Sequence, residues 1–257
     1  LRRKQLVGST GRPERVGRRL VDRSQLELGA QLGPAVGVDA EDGVLLGGEV
    51  VEEGAGGDIG GVADLLDGHP VRAATGAAVG QGAPAFELAD AQGKPVKLAD
   101  FKGNFVVLEW TNPGCPFVVK HYGSQNMQAL QKEASGRGVV WLSISSTAPG
   151  HADYLAPAAL AAQYKTWGAA PTAMLMDDAG QVGHAYGART TPHMYVIDPK
   201  GVLVYAGGID DKRSANPEDV KTAKNFVRAA LGESMAGKPV STPSATPYGC
   251  SVKYAAG

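Results

Sequence analysis

The chain has 257 residues, enough for one or two domains, and its 25 basic and 26 acidic side chains give a formal net charge of −1. This balance argues against nucleic acid or an anionic membrane surface as a partner, and no apolar stretch approaches the length of a membrane-spanning helix. Two cysteines, Cys115 and Cys250, are too few for a disulfide-rich scaffold or a zinc site of the finger type.

The composition changes sharply near residue 80. No aromatic residue precedes Phe86, and residues 1–78 are dense in Gly, Val, Ala and acidic residues. Such a segment can bury little apolar area, and the free energy gained does not offset the conformational entropy lost on folding. We therefore expect residues 1–80 to be disordered or non-native. We expect residues 81–257 to form the folded domain, with a tail at 233–257. No secretory signal is legible, but the chain begins with Leu1, so the loss of a signal peptide stays open.

From residue 86 onward, apolar runs separated by turn residues predict regular elements. FELAD (86–90) and PVKLADF (95–101) flank a turn and predict a β-hairpin. Further strands are predicted at 105–108, 138–145, 172–176, 194–198 and 202–208, the last two forming a second hairpin. Helices are predicted at 115–135, 157–168 and 216–231. This order indicates an α/β domain whose mixed central sheet is covered by helices on both faces.

The stretch FVVLEWTNPGCPFVVKH (105–121) leads from a buried strand through a Pro-Gly turn into a helix. Pro113 and Gly114 break the strand, and Pro116 suits the first helical position, where its missing N–H costs nothing. The unpaired N–H groups of the helix start point at the sulfur of Cys115, and the helix dipole favours thiolate over thiol. The pattern indicates a nucleophile, with a buried structural cysteine as the alternative.

Two segments resemble the thioredoxin superfamily, in particular its redoxin branch of alkyl hydroperoxide reductase and thiol-specific antioxidant proteins. They are WTNPGCPFV (110–118) and GARTTPHMYVIDPKGVLVYAGG (187–208), and the resemblance covers residues 81–232. It implies a thioredoxin fold, here with an extra N-terminal β-hairpin, and a reactive cysteine at Cys115. It further implies a cis peptide bond at Pro192, facing that cysteine, and backbone groups of Thr191 that bind a substrate chain. An ordinary edge-strand proline is the alternative for Pro192.

The sequence also departs from the family's patterns. Thioredoxin-type reductases carry Cys-x-x-Cys, but Val118 stands at the second position, and the threonine of the peroxiredoxin motif is displaced because Thr111 lies four residues before Cys115. The leading hypothesis is a redoxin-type thiol-disulfide oxidoreductase acting on a thiol or disulfide protein. One rival is a two-cysteine peroxiredoxin-like enzyme that reduces hydroperoxides as an antioxidant. Another is a non-catalytic thioredoxin-fold module that binds a partner or delivers a metal.

Four residues near these motifs are candidates for supporting roles. Trp110 is expected to cover the Cys115 sulfur as a substrate-binding residue, with core packing as the alternative. His193, after the family's proline, either stabilises the thiolate and relays a proton or points away. Glu109 is either a buried acid that moves protons or a solvated strand end, and His121 is expected to be exposed. The histidines are too scattered for a metal site, and no phosphate-binding loop follows a strand, so no cofactor is expected.

Cys250 lies in the tail TPSATPYGCSVKY (242–254) and is the only other thiol. Because Val118 removes the usual local partner, an oxidised Cys115 needs Cys250 as its resolving cysteine. Tyr248 and Tyr254 offer apolar anchors for docking the tail, and a lone thiol on a frayed terminus is the alternative. The expected reductant is thioredoxin-like. The resemblance suggests a bacterial periplasmic or secreted protein if a signal peptide was lost, and otherwise a cytoplasmic one.

Overall fold

The computed structural model describes residues 76–256. The segment predicted to be disordered, residues 1–80, therefore lies outside the described residues except for its last five. Those five belong to the domain, because the amide of Ala77 donates to the carbonyl of Ala185 and that of Gly80 to the carbonyl of Leu203. Within this part of the chain, none of the helices has the length and hydropathy that a membrane crossing requires.

The strands of the described residues follow the predicted order closely. They are Glu87–Asp90 (β1), Pro95–Lys97 (β2), Val106–Trp110 (β3), Val140–Ser145 (β4), Ala173–Met176 (β5), Thr190–Thr191 (β6), His193–Ile197 (β7), Leu203–Gly207 (β8) and Cys250–Ser251 (β9). The α-helices are Pro116–Gly123 (α1), Asn126–Gly136 (α2), Pro157–Thr166 (α3), Gln181–Tyr186 (α4) and Phe226–Met235 (α5), and short 3-10 helices lie at Leu98–Phe101 and Pro217–Lys221.

Seven strands form one mixed sheet in the order β2-β1-β5-β4-β3-β7-β8. Strand β3 is parallel to β4 and antiparallel to β7, and all its residues are buried, as an apolar run without alternation predicts. The predicted hairpins are confirmed as β1–β2 and β7–β8. A separate two-stranded sheet pairs β6 with β9 from the C-terminal tail. The predicted α/β class and thioredoxin fold are confirmed.

Side chains of the sheet alternate between two faces. The front face, as we call it, carries Cys115 together with Val107, Trp141, Met194 and Val196, and helices α1, α2, α3 and α5 cover it. The back face carries Leu108, Trp110, Ile144, Tyr195 and Ile197, and helix α4 covers it. Cys115 therefore belongs to the front face.

Two predicted helices are each split in the structure. The helix predicted at 115–135 is broken between α1 and α2, where Gln125 adopts a left-handed conformation with φ of 62°. The Gln128 side chain donates to the carbonyl of Tyr122, 2.8 Å away, and the amide of Gln125 donates to the same carbonyl at 3.1 Å, so this carbonyl is satisfied although the helix ends. The helix predicted at 216–231 is a 3-10 turn followed by α5, because Asn225 starts a new helix by accepting from the amide of Arg228 at 2.8 Å.

Helix α4 was not predicted, because Gly180 precedes it and Gly183 lies inside it, and glycine has a low helix propensity. The carboxylate of Asp177 stabilises its first turn. It accepts from the amides of Val182 and Gly183, at 3.2 and 2.8 Å.

Candidate active site

Cys115 lies at the junction between β3 and α1, where the sequence predicts it. The side chain of Asn112 accepts from the amide of Gly114 at 2.7 Å, and its carbonyl accepts from the amide of Cys115 at 3.0 Å. These bonds fold the chain into a tight turn. Cys115 is the N-cap residue of α1 and Pro116 is the first helical residue. The predicted strand-turn-helix arrangement is therefore confirmed.

The thiol of Cys115 faces the segment that the resemblance singled out. Its Sγ donates to the carbonyl oxygen of Thr191 at 3.0 Å. The peptide bond between Thr191 and Pro192 is cis, as expected. Cys115 itself is only 1% exposed. Thr191 and Pro192 thus lie at the sulfur of Cys115. Its low exposure means that another part of the chain shields this sulfur from solvent.

The C-terminal tail provides that cover. Cys250 pairs with Thr191 in the antiparallel β6–β9 ladder. Gly249 has a φ of 137°, and a Cβ atom there would lie 2.0 Å from the carbonyl oxygen of Thr191, so only glycine fits. Burial, followed by the influence of the nearby Cys115, raises the pKa of Cys250 to about 12. Cys250 therefore lies opposite the residue whose carbonyl accepts from the Cys115 sulfur, and the tail is docked rather than frayed.

Further contacts fix the tail on both sides of Cys250. The amide of Val252 donates to the carbonyl of Arg189 at 3.0 Å, and the carbonyl of Lys253 accepts from the amide of Ala148 at 2.7 Å. The ring of Tyr254 stacks on His184, with centroids 4.0 Å apart, and its hydroxyl donates to the carbonyl of Ala188 at 2.7 Å. Tyr248 is buried upstream of the thiol. Tyr248 and Tyr254 are the anchors that the sequence suggested.

The prediction that His121 is exposed is wrong, since it is completely buried. The ring lies between α1 and the tail, with Nε2 3.2 Å from the hydroxyl of Tyr248. Burial, with a contribution from neighbouring Lys120, lowers the pKa of His121 to about 3. Lys120 is buried as well and lies 3.9 Å from the carboxylate of Asp210. Local spacing along α1 could not reveal this cluster, because the groups that bury it come from distant parts of the chain.

Glu109 is fully buried on the front face. Its carboxylate accepts from Tyr122 Oη at 2.9 Å, Trp141 Nε1 at 2.8 Å and Ser143 Oγ at 2.9 Å. Burial raises the pKa of Glu109 above its ordinary value, and the hydrogen bonds to it act in the opposite direction. Of the two readings of Glu109, the structure supports the buried acid.

A pair of buried hydroxyl groups lies on the front face near Glu109 and Cys115. The hydroxyls of Thr111 and Tyr164 are 2.5 Å apart. The ring of Tyr164 lies 5.1 Å from that of Tyr122, which donates to Glu109, and Tyr164 belongs to the same front-face cluster as Cys115. Burial, followed by the charge of Glu109, raises the pKa of Tyr164 well above its ordinary value. Sequence reasoning missed Tyr164, which lies 53 positions from Thr111.

Trp110 and His193 do not lie at Cys115. Trp110 packs in the back-face cluster, with its ring 5.3 Å from that of Tyr186 and 5.1 Å from that of Tyr195. His193 is opposite Trp110 in the β3–β7 register, and its Nδ1 lies 3.1 Å from the Tyr195 hydroxyl. The expectation that Trp110 covers the sulfur is corrected, and His193 takes the alternative of pointing away. Successive side chains of a strand point to opposite faces of the sheet, and both of these side chains point to the back face.

Among residues 76–256, no group of three His, Cys, Asp or Glu side chains is arranged to hold a metal ion. The chemistry that this part of the chain offers at Cys115 comes from sulfur, hydroxyl and carboxyl groups.

Comparisons with known proteins bear on this arrangement. A family model described as the AhpC/TSA family matches residues 79–206. A hypothetical protein from Sinorhizobium meliloti 1021 is similar in structure with a TM-score of 0.61 and 27% identity, over 70% of this chain and 96% of that one. An uncharacterized conserved protein from Geobacillus kaustophilus has a TM-score of 0.60 and 28% identity, over 70% and 94%. No curated protein matches this sequence.

Proposed function

Because this chain carries a redoxin-type domain of the thioredoxin superfamily, matching the AhpC/TSA family over residues 79–206, we propose that it is a thiol-disulfide oxidoreductase. Cys115 is the nucleophile and Cys250 is the resolving cysteine. The observation that carries the proposal is the pairing of Cys250 in the docked tail with Thr191, whose carbonyl accepts from the Cys115 sulfur at 3.0 Å. Thr191 and Pro192 form the surface that meets the reacting sulfur.

The reaction sequence follows from two thiols that lie beside the same residue, Thr191. The Cys115 thiolate attacks a substrate disulfide, a mixed disulfide forms, and the other substrate sulfur leaves as a thiolate that takes up a proton. Cys250, having lost its proton, then attacks the Cys115 sulfur and releases the second substrate thiol. Two electrons pass to the substrate, and the chain retains a Cys115–Cys250 disulfide. A thioredoxin-like dithiol reductant restores the starting state, and the reverse sequence oxidises a substrate dithiol.

Glu109 is the proton acceptor that this sequence requires near the sulfurs. In the low-dielectric front face its raised pKa brings proton exchange closer to neutral pH than an exposed carboxylate would. Tyr122, which donates to Glu109, packs against Tyr164, and both tyrosines belong to the cluster that contains Cys115. This assignment gives the buried acid a role that stability alone would not require, since burying a carboxyl is costly.

A peroxidase reaction is the second candidate, and the burial of Cys115 favours it. With 1% of the residue exposed, a small hydroperoxide reaches the sulfur more easily than a folded protein does. In that reaction Cys115 attacks the peroxide, becomes a sulfenic acid and releases an alcohol or water. Cys250 then attacks the sulfenic sulfur, so that a disulfide forms and water leaves.

Mass spectrometry after brief oxidation tests the proposal and separates the two candidates. Glutathione disulfide and hydrogen peroxide are applied separately to the wild type, Cys115→Ser and Cys250→Ser. We expect both oxidants to give an intramolecular Cys115–Cys250 bond in the wild type, with glutathione disulfide the faster one at equal concentration. Cys250→Ser should trap a glutathione adduct on Cys115, and Cys115→Ser should form neither product.

A much faster reaction with peroxide than with glutathione disulfide would favour the peroxidase. Absence of the intramolecular bond with both oxidants would refute the role of Cys250.

A further inference from the structure

We propose that Tyr248 is a positioning residue for Cys250, acting through a buried polar cluster formed by Lys120, His121 and Asp210. The inference rests on the proposed function, because it explains how the resolving cysteine is held at the nucleophile. Tyr248 lies two residues before Cys250 and is 7% exposed. Its phenol oxygen lies within hydrogen-bonding distance of Lys120, His121 and Asp210, and a phenylalanine at this position could not form these hydrogen bonds.

The hydrogen bonds of this cluster have defined directions. The Tyr248 hydroxyl donates its single proton to Asp210 Oδ1 at 2.5 Å. Asn126 Nδ2 donates to His121 Nδ1 at 2.9 Å, which places the ring proton of the neutral imidazole on Nε2. His121 Nε2 therefore donates to the Tyr248 oxygen at 3.2 Å, and Lys120 Nζ approaches that oxygen at 3.5 Å. The phenol oxygen is thus used both as donor and as acceptor.

The cluster joins the tail to the helix that carries the nucleophile. Phe117, Lys120 and His121 all belong to α1, whose N-cap is Cys115. The ring of Phe117 meets that of Tyr248 edge-on with centroids 5.9 Å apart, and Lys120 Nζ lies 5.4 Å from the centre of the same ring. Tyr248 is therefore fixed relative to Cys115 itself.

The link from Tyr248 to the thiol is short and has little freedom. Only Gly249 stands between Tyr248 and Cys250, and its backbone lies so close to the carbonyl of Thr191 that a Cβ atom does not fit. Cys250 follows at once in the β6–β9 ladder. Fixing the ring of Tyr248 therefore fixes the position of the Cys250 sulfur.

Tyr254 provides a matched control at the other end of the tail. Its hydroxyl also makes a hydrogen bond, but to the uncharged carbonyl of Ala188, and its ring packs on His184 of α4. Both tyrosines can be changed to phenylalanine with loss of one oxygen atom. Only Tyr248 has a charged partner and contacts with α1, and hydrogen bonds to charged groups are the stronger kind.

The first measurement is independent of redox chemistry. In a Cys115→Ser background, Cys250 is the only thiol, and its alkylation by iodoacetamide reports the fraction of molecules with an undocked tail. We expect Tyr248→Phe to raise the alkylation rate about tenfold and Tyr254→Phe to raise it less than about threefold. Asn126→Ala, which releases the His121 ring from its orientation, should give a smaller increase in the direction of Tyr248→Phe. Urea unfolding of each variant shows that the domain remains folded.

The second measurement is the lifetime of the mixed disulfide between Cys115 and glutathione, in chains that retain both cysteines. The glutathionyl group occupies the space that the docked tail covers, so the tail must redock before Cys250 attacks. We expect Tyr248→Phe to lengthen this lifetime about tenfold and Tyr254→Phe to change it less than about threefold. A purely structural role of Tyr248 would lower global stability without lengthening it.

The outcomes separate this inference from the proposed function. Equal Cys250 alkylation rates in Tyr248→Phe and Tyr254→Phe would overturn the positioning role, even if the Cys115–Cys250 bond forms. If the wild type forms no such bond while Tyr248→Phe still exposes Cys250 selectively, the positioning role stands and the oxidoreductase proposal fails.

Discussion

The two faces of the central sheet show how neighbouring residues of one strand acquire different tasks. Glu109 and Trp110 are adjacent in β3 and both are completely buried. Glu109 faces the front, where side-chain donors surround its carboxylate. Trp110 faces the back and packs among tyrosines, one of which, Tyr186, donates its hydroxyl to the carbonyl of Pro84 at 2.7 Å. Polar groups on the front thus surround an acid, whereas the tyrosine hydroxyls on the back donate to main-chain carbonyls.

The largest effect is expected from removing the aromatic core of the back face. Trp110→Ala should lower the free energy of unfolding by about 3–5 kcal/mol, because a large buried ring leaves a cavity. Urea denaturation measures it. In molecules that remain folded, resolution of the glutathione adduct on Cys115 should proceed at nearly the wild-type rate. A strong loss of that rate at unchanged stability would show that the back face takes part in the chemistry.

A pH-dependent effect is expected from the acid of the front face. Because burial raises the pKa of Glu109, its contribution to stability is fully present below its unfolded pKa and is lost as pH rises through its folded pKa. The wild type should therefore lose up to about 1.4 kcal/mol per pH unit within that interval from this group. Glu109→Gln should remove that part of the slope. Urea denaturation between pH 5 and 8 compares the two, and equal slopes would mean that Glu109 titrates normally.

The smallest effect is expected at His193, which sequence reasoning placed at the site. His193→Phe should cost about 1 kcal/mol of stability, since the ring accepts from the amide of Arg189 at 3.3 Å. The rate at which glutathione disulfide modifies Cys115 should stay within about twofold of the wild type, because His193 faces the back of the sheet. A tenfold or greater loss of that rate would place His193 in the mechanism. It would also contradict the view that only the front face takes part in the chemistry.

Sequence reasoning succeeded where the signal is local. Pro113, Gly114 and Pro116 mark the end of a strand and the start of a helix within a few residues, so the position of Cys115 could be predicted. Pro192 at a strand start was interpretable only together with the family resemblance. The sequence signal of a hairpin turn is also local, which is why both hairpins could be predicted.

The errors arise where distant segments decide the outcome. Trp110 is near Cys115 in sequence, but a one-residue change of parity in a strand moves a side chain to the other face. Lys120 and His121 have polar side chains of the kind that a helix usually exposes, so the sequence gives no direct sign that they are buried. They are buried because Asp210 and Tyr248 pack against them. Tyr248 lies 127 positions from His121 in the sequence. Long-range polar clusters of this kind leave little trace in local periodicity.

The burial of Cys115 under the tail has a kinetic consequence that depends on substrate size. A protein disulfide reacts only with the fraction of molecules whose tail is open, so its apparent rate constant is the intrinsic one multiplied by that fraction. With about 1% of molecules open, a protein substrate would react about a hundredfold more slowly than with a tailless domain. An oxidant small enough to enter beside the closed tail escapes this factor. In the proposed reaction, the two-residue ladder between β6 and β9 would therefore select substrates by size, to a degree set by the stability of the closed tail.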